Sequence, residues 1–189
     1  MIRIAMVGDI GSGKSYIANL FGYPVFNADL EVAEIYKTNK NCFKRLKKDL
    51  PKYFSVFPAN KIQIINAIEN SEKNLKKITK IIHPEIRKKL SIFLKKNKKR
   101  KAVILDIPLL LENKLNLKSN IIIFVQSKKS EIVKRLKKRD NFNLNLYKRF
   151  KKMQLPLSYK KKKANYIIKN NFTNKLVKIS VKKILKEII

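Results

Sequence analysis

The residues best suited to chemistry lie near the start of the chain, where Gly8-Asp9-Ile10-Gly11-Ser12-Gly13-Lys14-Ser15 satisfies the pattern G-x-x-x-x-G-K-[ST] in full. Such a stretch captures phosphate. Successive backbone N–H groups turn inward around an anion, which demands backbone angles and a close approach that side chains obstruct. In this reading Lys14 reaches the β- and γ-phosphates of a nucleoside triphosphate, the Ser15 hydroxyl ligates Mg²⁺ and the Tyr16 N–H meets the α-phosphate, with Gly11, Ser12 and Gly13 lining the cradle. Composition strengthens the assignment. At average usage a chain of this length would carry ~13 glycines. This one has four, and three of them fall within the loop. One residue is out of place in an anion site: Asp9, at the first variable position, whose side chain is expected to point away from the phosphates while the backbone still turns.

A strand must present this loop and a helix must follow it. The apolar run IRIAMV (2–7) precedes it, and a helical segment Tyr16 to Phe21 follows. The runs AVILD (102–106), IIIFV (121–125) and YIIK (166–169) are likewise short, β-branched and unbroken, as suits parallel strands covered on both faces. Helical periodicity appears between and after them, in Ile86, Leu90, Phe93 and Leu94 and again in Val177, Val181, Ile184, Leu185 and Ile188. Strand and helix alternate, which predicts an α/β fold built on a parallel sheet. Two stretches depart from the alternation. Residues 31–83 read as several helices without a convincing strand, and residues 136–163 as a helical, basic segment interrupted by Pro156. Both are expected to be insertions within a single domain, 1–189, whose core is 1–30, 84–135 and 164–189. His83-Pro84 reads as the N-cap and first residue of a helix, where a missing N–H does no harm.

Asp29 stands 15 residues after Lys14, where the short apolar run opening VFNADLEVAEIY (25–36) ends, and so at the strand-end crevice of a doubly wound sheet. Three uses remain open for it: accepting the proton of an attacking hydroxyl, holding Mg²⁺ through water, or capping a helix that starts at Leu30. The formal charge of +33 comes from 46 Lys and Arg against 13 acids. Since 39 of the 46 are Lys, alongside abundant Asn and Ile, AT-rich coding explains the excess as well as an anionic partner would. The charge is uneven: residues 134–163 hold 13 cations against one acid, Asp140. Cys42 is the single cysteine and His83 the single histidine, which excludes an intramolecular disulfide and any cluster of Cys or His around a metal. The N-terminus runs straight into a glycine loop and no window reaches 18 apolar residues, so a soluble cytoplasmic protein is expected.

The segments GDIGSGKS, NAD, IHPEIRKKL (82–90), LDIPLLLENKL (105–115), RLKKRD (135–140) and MQLPLSYKKKKANYIIKNN (153–171), in that order, resemble dephospho-CoA kinase over nearly the whole chain. The resemblance implies a P-loop kinase fold, a parallel β-sheet core flanked by helices with a helical substrate-binding insertion (31–83) and a helical lid (136–163). It implies phosphorylation of the ribose 3′-hydroxyl of dephospho-CoA by ATP and Mg²⁺, the last step of coenzyme A synthesis. It makes Asp29 the catalytic base, the second acid of the family's usual D-A-D, whose first position is Asn27 here. Arg139 matches the lid arginine that joins Lys14 in stabilising the transferred phosphoryl group, with Arg135 second and Arg149 behind it. His83 and Arg87 would face the substrate, and Asn170-Asn171 would lie near the adenine. Asp106 resembles a Walker B carboxylate that orients Mg²⁺ through water, although capping the next turn is an equal use for it. Where the family has acids and arginines after QLPL, this chain reads Ser158-Tyr159-Lys160-Lys161-Lys162-Lys163-Ala164-Asn165. The alternatives are another small-molecule or nucleotide kinase of the P-loop class and a basic nucleic-acid-binding P-loop protein. The expected partners are ATP and dephospho-CoA rather than a membrane or nucleic acid; the oligomeric state is left open.

Overall fold

The computed structural model describes residues 1–113, 120–139 and 142–189, so Asp140 and the end of the LDIPLLLENKL segment lie outside the described residues. The chain divides into two compact units, Met1–Asn27 with Lys96–Ile189, and Ala28–Lys95.

The first unit is a five-stranded sheet. Its strands are β1 (Ile2–Gly8), β2 (Val25–Asn27), β3 (Ala102–Asp106), β4 (Asn120–Gln126) and β5 (Tyr166–Lys169), in the spatial order β2-β3-β1-β4-β5. Every pairing is parallel. The central strands are buried almost throughout, β3 entirely, which is why their sequences are unbroken apolar runs rather than alternating ones. Helices α1 (Lys14–Leu20) and α9 (Asn174–Ile188) pack on the sheet and on each other. Ile17, Ala18, Val177, Val181 and Ile184 meet Ile4, Met6, Ile104, Ile123 and Ile168 in one core. The chain leaves β1 with β3 on one side and β4 on the other, so the strand order reverses at the end of β1 and opens a crevice there.

Between β4 and β5 run α6 (Lys129–Lys137), α7 (Leu144–Met153) and α8 (Leu157–Lys162), with Pro156 as the N-cap of α8. A buried ion pair ties this basic stretch to the sheet. Glu112, in the turns after β3, accepts from Lys160 Nζ at 2.7 Å and from the Leu155 N–H at 3.0 Å. Lys160 is only 1% exposed.

The second unit is helical: α2 (Ala28–Thr38), α3 (Lys40–Asp49), α4 (Lys61–Asn70) and α5 (Glu72–Lys96, whose last residue belongs to the first unit). Asn39 caps α3 by accepting from the Cys42 N–H, and Asn60 and Gln63 form a reciprocal capping box at the start of α4. Ile35, Leu46 and Phe54 are fully buried in it, as are Ile78, Ile81 and Ile82 of α5. Two expectations need correcting here. His83-Pro84 does not start a helix, because α5 runs through it. Pro84 deprives the Lys80 carbonyl of its donor, but the buried stripe Leu75, Ile78, Ile81, Ile82 and Ile86 continues at helical spacing across the proline and keeps the helix packed. The insertion edge placed at 83 and 84 therefore falls inside a helix, and the compact unit extends to Lys95. Among the described residues no helix is long and apolar enough to cross a membrane.

The Glu112–Lys160 pair gives the first test. Lys160→Met strands a buried carboxylate, an expected loss of about 3 kcal/mol that lowers the thermal midpoint by about 10 °C. The double variant with Glu112→Leu is expected to recover most of the loss, because it leaves neither charge unpaired.

Candidate active site

The loop that joins β1 to α1 folds as the glycine pattern requires. Gly13 is the N-cap of α1 with φ 91°, in the left-handed region, and a Cβ there would stand 2.5 Å from Asn170 Nδ2. Gly8 presses equally close on β4: a Cβ on it would lie 2.6 Å from the Val125 carbonyl oxygen. No side chain fits at either place. The Ser12 N–H donates to the Asp9 carbonyl at 3.2 Å and the Ile17 N–H to the Gly13 carbonyl at 3.0 Å, which closes the turn into the helix.

The loop is held from behind. Ser12 is fully buried, and its carbonyl accepts from Asn170 Nδ2 at 2.8 Å and from Ser127 Oγ at 3.1 Å. Asn170 is itself fixed just past the end of β5, its N–H donating to the Gln126 carbonyl and its Oδ1 accepting from the Phe172 N–H. Asn170 is thus a 4% exposed brace for the loop, a use its sequence position did not suggest. Asn171 is exposed and accepts from Thr173.

The charges around the loop are arranged on Asp9. Lys14 Nζ donates to the Asp9 carbonyl at 2.7 Å, while the Asp9 carboxylate accepts from the Ile10 N–H at 2.7 Å and from Lys151 Nζ of α7 at 2.5 Å. Ser15 and Tyr16 are exposed on the first turn of α1, and the Tyr16 hydroxyl donates to Asn174 Oδ1. Across the crevice, Asp106 at the end of β3 is 3% exposed and accepts from Asn27 Nδ2 at 3.0 Å, the two residues being register partners. Arg139 stands in an exposed turn just past α6, and the Arg135 guanidinium lies 4.5 Å from the centroid of the Phe172 ring. The chemistry available is therefore amides, a lysine and a hydroxyl at a helix N-terminus, with a buried carboxylate at the end of β3. That set suits a polyphosphate with a hard cation.

Comparison with known proteins agrees with this geometry. The dephospho-CoA kinase family profile matches residues 2–175. The chain is 32% identical to the dephospho-CoA kinase of Wolbachia pipientis wMel over 96% of its own length and 95% of the relative's. The chain belongs to the dephospho-CoA kinase family. A dephospho-CoA kinase from Campylobacter jejuni superposes with a TM-score of 0.63 at 26% identity, covering 100% of this chain and 98% of the other. A crystal structure from Thermus thermophilus reaches 0.79 at the same identity and coverage. A shikimate kinase from Bacteroides thetaiotaomicron, 12% identical with a TM-score of 0.54 and covering 98% of this chain and 97% of its own, shares the fold alone.

The remaining residues that the dephospho-CoA kinase resemblance singled out lie in the helical unit. Asp29 is exposed in the first turn of α2, two residues after β2 ends. Because α2 begins at Ala28, Asp29 is inside the helix and does not cap one starting at Leu30. His83 and Arg87 share one face of α5, a turn apart, with His83 half-buried and Arg87 exposed. Burial, and then the Arg87 cation beside it, hold the His83 imidazole below its ordinary range. Sequence reasoning missed the contacts of Lys151, bonded to Asp9, and of Lys160, buried against Glu112. Nothing in a run such as Lys160 to Lys163 marks which member turns inward. Glu112 was the available signal, a scarce acid directly after an apolar run.

The lone histidine makes a clean reporter. Its imidazole resonances are expected to titrate below the usual midpoint of about 6.5, and Arg87→Ala to move the midpoint upward. The unfolded chain then binds the proton at higher pH than the folded one. The His83 contribution to stability is accordingly complete above about pH 6.5 and lost as pH falls through the lower folded value, an effect that His83→Gln removes.

Proposed function

We propose that the chain transfers the γ-phosphoryl group of ATP to the ribose 3′-hydroxyl of dephospho-CoA, giving coenzyme A, in the cytoplasm. The observation that carries this is the glycine loop at the reversal of strand order, braced by Asn170 and completed by Lys14 and Ser15, in a member of the dephospho-CoA kinase family. Gly11, Ser12, Gly13 and the Tyr16 N–H bind the phosphates through the backbone, aided by the positive end of α1. Lys14 holds the β- and γ-phosphates and follows the charge as it moves to the leaving group.

Asp29 takes the proton of the 3′-hydroxyl as the oxygen attacks, a role for which an exposed carboxylate just past a strand end is suited. His83 and Arg87 orient the acceptor, Arg87 by its charge and His83 as a neutral imidazole. Arg139, with Arg135 behind it, meets the equatorial phosphoryl oxygens from the lid at 136–163, where a guanidinium makes paired contacts. The Ser15 hydroxyl and, through water, the Asp106 carboxylate would hold Mg²⁺. Both are hard oxygen donors, and Mg²⁺ is ordinarily held by one or two carboxylates together with phosphate oxygens. Among the described residues no group of three or more His, Cys, Asp or Glu forms a protein cage for a metal. When bound, the ion neutralises charge on the bridging and terminal phosphate oxygens.

The purified protein with Mg²⁺-ATP and a panel of hydroxyl acceptors tests the reading. A 3′-phosphate is expected on dephospho-CoA, and its absence with transfer to another acceptor would reassign the chain within the P-loop kinases. Asp29→Asn is expected to lower kcat by roughly 10²-fold or more with ATP affinity little changed. An Asp29→Asn enzyme as fast as wild type would remove the base assignment.

A further inference from the structure

Asp9 is an acid inside an anion site. Its side chain is 10% exposed, so water does little to screen it. An uncompensated carboxylate there opposes any phosphate that the loop amides hold. Lys14 alone would no more than balance it, leaving the loop's own side chains with no net charge.

The balance is changed from a distant part of the chain. Lys151 of α7, 142 positions on, donates to Asp9 Oδ1, while Lys14 donates to the Asp9 backbone carbonyl. The two ammonium groups therefore hold one residue by two different atoms, and the three charges sum to one positive. The Ile10 N–H, on the same Oδ1, keeps the carboxylate turned toward Lys151. Stability does not account for the pair: the Lys151 side chain is 38% exposed, and ion pairs with so wet a partner add little to folding.

We propose that Lys151 is a positioning residue for nucleotide binding, which by neutralising Asp9 allows a loop containing a carboxylate to hold a triphosphate. The proposal rests on the reading that the loop binds ATP. It also makes phosphate affinity depend on α7 being docked, and by reciprocity a bound nucleotide strengthens that docking.

The test is titration of the full chain with ATP, and separately with inorganic triphosphate, for wild type, Lys151→Met, Asp9→Asn, the double variant and Lys151→Arg. Lys151→Met is expected to weaken both ligands by about 10-fold or more, since it leaves the carboxylate unpaired. Lys151→Arg and the double variant, which keep the net charge of one positive, are expected to stay within about 3-fold of wild type, and Asp9→Asn to bind as tightly as wild type or more so. Rescue of ligand affinity in Lys151→Met by Asp9→Asn, with the thermal midpoint of the ligand-free chain the same in all variants, is the decisive result, because a merely structural ion pair would show its loss and its rescue in that midpoint. Binding by Lys151→Met equal to wild type, or a double variant as weak as the single, overturns the proposal. A wild-type chain that binds neither ligand overturns the nucleotide reading itself, and that is seen in the wild-type arm alone. Should Lys151→Met fail to fold by circular dichroism, Lys151→Gln provides the same comparison.

Discussion

The arrangement of the site depends on how one backbone carbonyl is satisfied. A loop that turns its N–H groups toward an anion turns carbonyls the other way, and a buried carbonyl without a donor is costly. In this chain that carbonyl belongs to Ser12, which is wholly buried, and its donors are Asn170 and Ser127. Neither is near the loop in sequence. Both sit just past the ends of β4 and β5, the strands that follow β1 outward through the sheet. The strand order is therefore part of what holds the glycine loop. It brings the ends of Gly8, Val125 and Gln126 level through the β1 to β4 register, and Gln126 in turn fixes Asn170 through its backbone. The loop at residue 8 is finished only when residue 170 has been placed.

The same dependence explains why the core has so little tolerance at the glycines. A Cβ at Gly13 would strike the Asn170 amide, and one at Gly8 the Val125 carbonyl, so the loop is clasped by the groups that support it. Gly11 is approached by Ile132 and Leu136 of α6, so the helix after β4 packs on the loop as well. A sequence that otherwise avoids glycine keeps three here because strand, brace and helix all close on the same backbone.

Much of this was legible beforehand, and the exceptions have physical causes. The strands β1, β3, β4 and β5 announce themselves because parallel strands buried on both faces cannot alternate. β2 is three residues long and says little by itself. A helix is expected to start at Pro84 because proline suits a first helical position, whereas the apolar stripe on both sides of it carries α5 through at the cost of one hydrogen bond. The glycine loop was readable in its backbone conformation, since its residues lie within one local turn between β1 and α1. Its supports were not. Asn170, Lys151 and Lys160 act through contacts across more than forty positions, and in a chain with 39 lysines nothing in their sequence neighbours marks out Lys151 or Lys160.

The exchange of an acid for Asn27 fits the same economy of charge. Asn27 and Asp106 are register partners at adjacent strand ends, and the Asn27 amide donates to Asp106 Oδ2. An acid in that place would set two carboxylates side by side, and such a pair needs a proton or a cation between them. The amide meets the need within the protein by supplying a donor where a second acceptor would have stood. The strand ends then present the single charge of Asp106 to the crevice, next to a loop whose own acid is already answered by Lys151. The carboxylates at the strand end and in the loop are thus each given a partner drawn from the chain, one an amide and the other an ammonium. The difference between those partners follows from the task. On the proposed function, Asp106 keeps its charge available to a hard cation if its neighbour is neutral, whereas Asp9 has to be cancelled, because the loop it belongs to is the one proposed to hold the anion.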